Sequence, residues 1–293
     1  MNNGNMRGII TKGIGGLYFV SIGDSIVKCK ARGKFRYNGL TPTVGDEVEI
    51  SIDNDEGVIE KIFERKNELI RPVVANVTQA FVVITLKNPK LNMDLLNKFL
   101  ILCEYNNLNI VLCVNKIDLV SERDFLKFDA FKNIDYEIIY TNAMTGRGIE
   151  RLKNKVDNNI SVFCGPSGVG KSTLLNALVG EQIMKTGDIS SKLKRGKHTT
   201  RHSELIKCSE GYLVDTPGFS SLDISFIDET ELQYCFPEFR PYIGMCKFSN
   251  CIHYKEPDCC VKQAVMENNI CKERFDFYIK TLEELKNRRS NKW

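Results

Sequence analysis

Gly165-Pro166-Ser167-Gly168-Val169-Gly170-Lys171-Ser172 decides how this chain is read. The eight residues fit G-x-x-x-x-G-K-S/T, a loop that cradles phosphate. Ser161-Val162-Phe163-Cys164 comes just before and reads as a strand, and 172–179 reads as a helix with Thr173 in its first turn. Strand, loop and helix in that order are the context the motif needs. Glycines let the backbone curl so that its N–H groups converge on phosphate oxygens. The helix N-terminus adds partial positive charge. In such a loop Lys171 reaches the β- and γ-phosphates and the Ser172 hydroxyl binds Mg²⁺. The bland alternative, a glycine-rich turn, does not explain the flanking elements.

Outward from the loop, strands and helices alternate. Ala80-Phe81-Val82-Val83-Ile84-Thr85-Leu86 is almost wholly apolar, as expected of a parallel strand covered on both faces. Residues 93–105 read as a helix, 110–114 and 137–140 as strands, and 149–156 as a helix. This rhythm predicts an α/β domain. Two more motifs sit at predicted strand ends. In Leu213-Val214-Asp215-Thr216-Pro217-Gly218, Asp215 would hold Mg²⁺ through a water and the Gly218 N–H would sense the γ-phosphate. In Asn115-Lys116-Ile117-Asp118, a carboxylate can accept from the ring N–H and exocyclic amine of guanine, a pair adenine lacks. Alone, the first could be a strand-end turn and the second a helix cap.

The first 69 residues read differently. Leu17-Tyr18-Phe19-Val20, Ser25-Ile26-Val27, 44–50 and 58–62 are short β-favouring runs, which suggests a small barrel such as an oligonucleotide-binding fold. Lys28, Lys30, Arg32, Lys34 and Arg36 recur at every second position. If that stretch is extended, all five share one face. They read equally as a solvated edge and as a phosphate-contacting stripe.

At the other end, Cys246-x4-Cys251-x-His253-x5-Cys259 offers three thiolates and one imidazole. Cys₃His is a closed tetrahedral zinc set, structural rather than catalytic. Cys260 competes with Cys259 as the last ligand. Residues 225–293 are expected to have little core of their own, so that metal binding supplies folding free energy. The remaining cysteines, of eleven in all, are scattered.

Composition sets the limits. The 293 residues are 42% hydrophobic and 27% charged, with a net charge of +4. That excludes collagen-like and largely disordered chains and only permits a nucleic-acid partner. The opening residues carry no apolar signal region and no apolar run approaches the ~20 residues of a membrane span. A cytoplasmic protein with reduced thiols and no membrane partner is expected.

The three loop motifs are hallmarks of GTPases, yet Asn115 precedes Gly165, the reverse of the usual order. The chain resembles the circularly permuted GTPases that act in ribosome assembly, over essentially its whole length. The resemblance implies a GTP hydrolase of late small-subunit maturation, stimulated by the 30S subunit, with GTP or GDP, Mg²⁺ and one structural Zn²⁺. It implies an OB-like barrel over 1–69, a permuted P-loop GTPase domain over 70–224 and a zinc-binding helical domain over 225–293. The partner would be the small subunit and its 16S rRNA, met by a monomer.

Residue by residue, the resemblance assigns guanine to Asn115, Lys116, Ile117, Asp118 and Ala143. Asn142 stands where the family has serine. It assigns phosphates to Gly165, Pro166, Ser167, Gly168, Val169, Gly170, Lys171, Ser172 and Thr173, with Asp215 and Gly218. It puts the last zinc ligand at Cys259. Gly196-Lys197-His198-Thr199-Thr200 matches a switch segment, in which Thr200, or alternatively Thr199, joins Ser172 and Asp215 on Mg²⁺. Phe219 follows Asp-x-x-Gly where Ras-type enzymes carry a water-orienting glutamine. Slow intrinsic turnover follows, with His198 the candidate to position water. His198, Thr200 and Lys171 are thus the catalytic candidates. Two rivals stand beside this reading: a zinc-containing RNA-binding regulator with negligible turnover, and an ATPase if Asp118 does not meet guanine.

Overall fold

The computed structural model describes residues 5–37, 39–53, 56–70, 72–131, 134–180, 203–215 and 222–290. Five strands, β1 (Met6–Ile14), β2 (Leu17–Ile22), β3 (Ser25–Ala31), β4 (Glu47–Asp53) and β5 (Glu56–Ile62), close a barrel in the order β1-β2-β3-β5-β4. Alternate residues fill it: Ile10, Val20, Cys29, Val48, Ile50 and Ile59 are buried. The interior has no room for a side chain at Gly57, where a Cβ would lie 2.4 Å from Cys29 Sγ.

The basic stripe is not one extended face. Strand β3 ends at Ala31, and Gly33–Tyr37 forms a short helix, α1. The reason lies in the pairing: β5 partners β3 only over Cys29–Ala31, and Phe35 is buried, drawing the chain inward. Two of the five cations are also neutralised within the barrel. Lys30 pairs with Glu56 at 2.7 Å and Arg32 with Glu60 at 2.6 Å. Lys28 and Lys34 remain exposed.

A hairpin of β6 (Glu68–Ile70) and β7 (Val73–Ala75) leads into the second body. Its elements are β8 (Gln79–Ile84), α2 (Met93–Tyr105), β9 (Asn109–Val114), β10 (Glu137–Tyr140), α3 (Ile149–Asn154), β11 (Ile160–Cys164), α4 (Lys171–Val179), β12 (Leu205–Cys208) and β13 (Gly211–Val214). The sheet order is β10-β9-β8-β11-β13-β12, parallel throughout except that β12 runs antiparallel to β13. Every residue of β8 is buried. Ala80, Val82 and Ile84 pack on one side of the sheet, and Phe81 and Val83 on the other. The barrel meets the sheet's edge: Lys12 bridges to Glu204, with their side chains 2.7 Å apart, and the Tyr212 hydroxyl donates to Ser21 Oγ at 2.9 Å.

After Leu222 the chain forms tight helical turns, then α5 (Cys260–Met266) and α6 (Lys272–Ser290). This segment has a core after all. Leu232, Phe236, Phe239, Val261, Tyr278 and Leu282 are buried together, with Ile101 and Leu102 of α2 joining them. Sequence periodicity misses it because Phe236 and Phe239 come from irregular turns. Within this core Arg274, 1% exposed, donates to Glu238 at 2.7 and 3.1 Å and to Asn97 of α2 at 2.7 Å.

Candidate active site and metal centre

Parallel strands of an open α/β sheet end at a common edge, where ligands are bound. At that edge β11 gives way to the glycine loop. Gly165 has φ +136°, and a Cβ there would lie 2.1 Å from the Val83 carbonyl oxygen. Gly170 has φ +99°, and its Cβ would lie 2.4 Å from Asn115 Nδ2. Any other residue would break the cradle at both places, so the loop fits a group bound through backbone N–H. Lys171, the first residue of α4 and 8% exposed, donates to the carbonyls of Gly165 (2.7 Å) and Pro166 (2.6 Å). Burial pushes its ammonium below the usual lysine range. Ser172 and Thr173 are half-buried in the same first turn, Val169 is buried, and Pro166, Ser167 and Gly168 form the outer bend.

The Asn-Lys-x-Asp residues leave the end of β9 beside this loop. Asn115 is buried; its amide donates to Val169 O at 2.9 Å, and its Oδ1 accepts from the Thr141 hydroxyl (3.2 Å) and the Ala143 N–H (3.3 Å). Lys116 adopts a left-handed conformation, φ 57°, and its ammonium donates to Gly168 O (2.7 Å) and Asn88 O (2.9 Å). Ile117 and Asp118 follow in a tight helical turn, Ile117–Leu119. One Asp118 oxygen accepts from the Asn142 amide at 2.8 Å. Asn115, Lys116, Asp118, Ala143 and residues 165–172 are therefore brought together by the ends of β8 to β11. Asp215 follows β13, the neighbour of β11; its carboxylate accepts from the Glu204 N–H, and its own N–H donates to Glu204 O, both at 3.0 Å. His198, Thr199, Thr200, Gly218 and Phe219, and the basic run 192–201, lie outside the described residues.

Two parts of this edge are absent from the motif reading. The loop after β8 supplies Asn88 O to Lys116, and Pro89 lies beside Gly168. Asn142 holds Asp118. Its only signal in the sequence is the unusual residue type at that position.

The second cluster is built on turns. The ligand atoms of Cys246, Cys251, His253 and Cys259 all lie within 4.8 Å of one another. His253 Nδ1 is 3.7, 3.4 and 3.3 Å from the sulfurs of Cys246, Cys251 and Cys259, and Cys246 and Cys259 are 3.9 Å apart. A tetrahedral ion with thiolate bonds of ~2.3 Å has sulfur–sulfur edges of ~3.8 Å, so the set fits a four-coordinate metal. Burial pulls the His253 imidazole down to about 4, leaving it neutral and able to coordinate. Burial also pushes the Cys251 thiol up to about 12, a cost that a bound cation offsets. Gln233 Oε1 lies 3.0 Å from His253 Nε2, on the far side of the ring. Cys260 is not one of the four converging residues, and its sulfur donates to Met245 O at 3.0 Å.

Comparison with known proteins decides the family. The RsgA GTPase description matches residues 62–225 and the RsgA N-terminal domain matches residues 7–59. The chain belongs to the RsgA GTPase family. A Small ribosomal subunit biogenesis GTPase RsgA of Clostridium botulinum (strain 657 / Type Ba4) is 60% identical over 292 residues, covering 98% of this chain and 100% of its own. Its namesake from Clostridium perfringens (strain ATCC 13124) is 59% identical over 288 residues, with the same coverage. Among solved structures, YloQ, described as a circularly permuted GTPase, superposes with a TM-score of 0.85 at 35% identity, covering 97% of this chain and 96% of that one. YjeQ from Thermotoga maritima gives 0.84 at 39%, covering 96% and 98%. The permuted order of motifs is thus a family property, and the chain is a GTP hydrolase of the RsgA family. Guanine nucleotide and Mg²⁺ are the ligands that this chemistry implies. Among the described residues no helix is long and apolar enough to cross a membrane.

Proposed function

We propose that this GTPase acts on the small ribosomal subunit during its late maturation, and that contact with the subunit stimulates turnover. The observation that carries this is the tying of the Asn-Lys-x-Asp loop to the phosphate loop, in a chain matching RsgA relatives along its whole length. Asn115 reaches Val169 and Lys116 reaches Gly168, so base and phosphate readers form one rigid floor. On this reading Asp118 accepts from guanine, Asn115, Lys116, Ile117 and Ala143 frame the base, and residues 165–173 hold the phosphates. Lys171 leaves the loop carbonyls for the β- and γ-phosphates. Ser172, Asp215 and Thr200 hold Mg²⁺, which neutralises charge on the phosphates when bound; the Gly218 N–H marks the γ-phosphate and His198 orients water.

The cysteine–histidine set takes zinc, since three thiolates and an imidazole favour it over Mg²⁺. The barrel (1–69) and the C-terminal unit (225–293) flank the GTPase unit (70–224), with the β6–β7 hairpin between the barrel and the GTPase unit, and the two flanking units contact 16S rRNA. Exposed Lys28 and Lys34 support the barrel's share of that contact. A cytoplasmic monomer suits a factor that meets a cytoplasmic particle.

The test is GTP turnover by the purified chain, alone and with small subunits, repeated for Lys171→Ala and His198→Ala. Strong stimulation is expected, lost in Lys171→Ala. Equal turnover with and without subunits sinks the proposal.

A further inference from the structure

We propose that Cys246 and Cys260 form an oxidant-sensitive thiol pair: a hydroperoxide oxidises Cys246, and Cys260 closes a disulfide onto it, taking one ligand away from the metal cluster. The proposal rests on the reading of that cluster as a metal site.

The four converging residues are not equally reachable. Cys251, His253 and Cys259 are buried, at 7%, 1% and 6% exposure, whereas Cys246 is only part-buried. A small oxidant from solvent therefore meets the Cys246 sulfur first. A metal-bound cysteine is a thiolate, the form that attacks an oxidant. Cys260 stands beside it, part-exposed and outside the set of four. It is the first residue of α5, directly after Cys259. The N–H groups of a helix's first turn have no partner within the helix, and here those of Cys260 and Val261 donate to the Cys246 sulfur. The Cys260 thiol engages the same sulfur. It also donates, at 3.0 Å, to the carbonyl oxygen of Met245, the residue joined to Cys246. Backbone and side chain of residue 260 thus both touch the 245–246 linkage. A disulfide asks for Cβ atoms ~3.5–4.5 Å apart, and for residues in such contact side-chain rotation is the movement left to make. Cys259 is the rival partner, its sulfur 3.9 Å from that of Cys246. In the loaded cluster, however, Cys259 is a buried ligand tied to the ion, and Cys260 is not.

The chemistry balances with a hydroperoxide as oxidant. The Cys246 thiolate attacks the outer peroxide oxygen; the S–O bond forms, the O–O bond breaks, and the leaving oxygen takes up a proton. Cys246 is then a sulfenic acid. The Cys260 sulfur attacks it; the S–S bond forms, the S–O bond breaks, and the hydroxide departs as water with the Cys260 proton. The two thiols have given two electrons to the peroxide. Cys251, His253 and Cys259 are left to hold the ion without a fourth protein ligand, and its affinity falls. Without Cys260 the sulfenic acid stays open to further oxidation to sulfinic acid, which reductants do not reverse. The pair thus turns a terminal lesion into a reversible release.

The experiment treats the full-length, zinc-loaded protein with a small excess of hydrogen peroxide. Zinc release is followed with a chromogenic chelator, thiol states are mapped by mass spectrometry, and reductant and zinc are then restored. The wild type should lose its zinc, show a Cys246–Cys260 disulfide and regain nearly all of the metal. Cys260→Ser keeps all four ligands and should bind zinc when reduced. After peroxide it should carry Cys246 as the sulfinic acid and regain little metal. A wild-type disulfide between Cys246 and Cys259, no disulfide at all, or full recovery in Cys260→Ser overturns the proposal. If the reduced wild type holds no zinc before oxidant is added, the metal reading fails and takes the proposal with it. Should Cys260→Ser not bind zinc, the disulfide map of the wild type decides alone.

Discussion

The nucleotide edge and the cysteine–histidine cluster are two ways of making a site precise. At the first, five parallel strands with buried flanks deliver loops to one edge, and backbone carbonyls of one loop accept from side chains of the next. Among the described residues, bonds within the chain hold that edge in shape. At the second, four ligand atoms from turns converge on a point where a thiol is pushed up to about 12 and an imidazole down to about 4 by burial. On the proposed reading, a bound ion offsets the cost of holding such a cluster together. One site is preformed by the sheet; the other, on the proposed reading, would be finished by a metal, on a core of aromatics that it shares with α2.

The sharpest way to break that contrast is to remove the metal. Structural zinc sites carry roughly 10–16 kcal/mol of apparent binding free energy. Chelation, or Cys259→Ser, should therefore abolish hydrogen-exchange protection in 246–266 while leaving β8 and β11 protected. Loss of protection in both would mean that the sheet depends on the metal too. Acidification should act in the same direction as chelation, because the thiolates must protonate before the ion leaves.

Next comes the joint between the regions. Arg274 sits fully buried between Glu238 and Asn97, and removing one partner of such a pair costs about 3–5 kcal/mol. Arg274→Leu should lower the urea midpoint accordingly and uncouple α6 from α2. Replacing Glu238 by Leu in the same chain should restore part of the loss, since no buried charge is then left unpaired.

Lys171→Ala addresses the preformed site itself. It should cut single-turnover GTP hydrolysis about 100-fold or more, the effect of deleting one charge-stabilising donor. The melting temperature should hardly fall, because the lysine's burial already disfavours its charge. A large stability loss would mean that the loop leans on its lysine. The smallest effect is expected where barrel meets sheet. Lys12→Ala breaks a partly exposed ion pair and should cost no more than about 1 kcal/mol in thermal unfolding.

The motif-bearing half of this molecule was largely legible in its sequence, and the reason is physical. Strands β8, β9 and β11 are buried on both faces, so their apolar runs cannot be mistaken for surface elements, and helix α2 runs over 93–105 as its periodicity implies. The glycines at 165 and 170 are forced by contacts that the motif encodes. Legibility failed where tertiary contacts override spacing. Residues 28–36 alternate like a strand, yet the burial of Phe35 turns them into a helix after Ala31. The C-terminal core was invisible because Phe236 and Phe239 come from turns with no period. Asn142 departs from the family pattern, and only its hydrogen bond to Asp118 shows what it touches. The positions 198–200 and 218 remain sequence expectations, lying outside the described residues.

The strand order has a consequence for how the chain is made. Strand β8 lies between β9 and β11, but β9 leaves the ribosome directly after it and β11 only from Ile160 on. A nascent chain therefore completes its base-reading half first and displays the apolar far edge of β8 for the seconds that synthesis of the intervening residues takes. An uncovered edge of that kind invites pairing with other chains. Slow translation between 84 and 160 would lengthen that exposure, so yield of soluble protein should be sensitive to codon speed there.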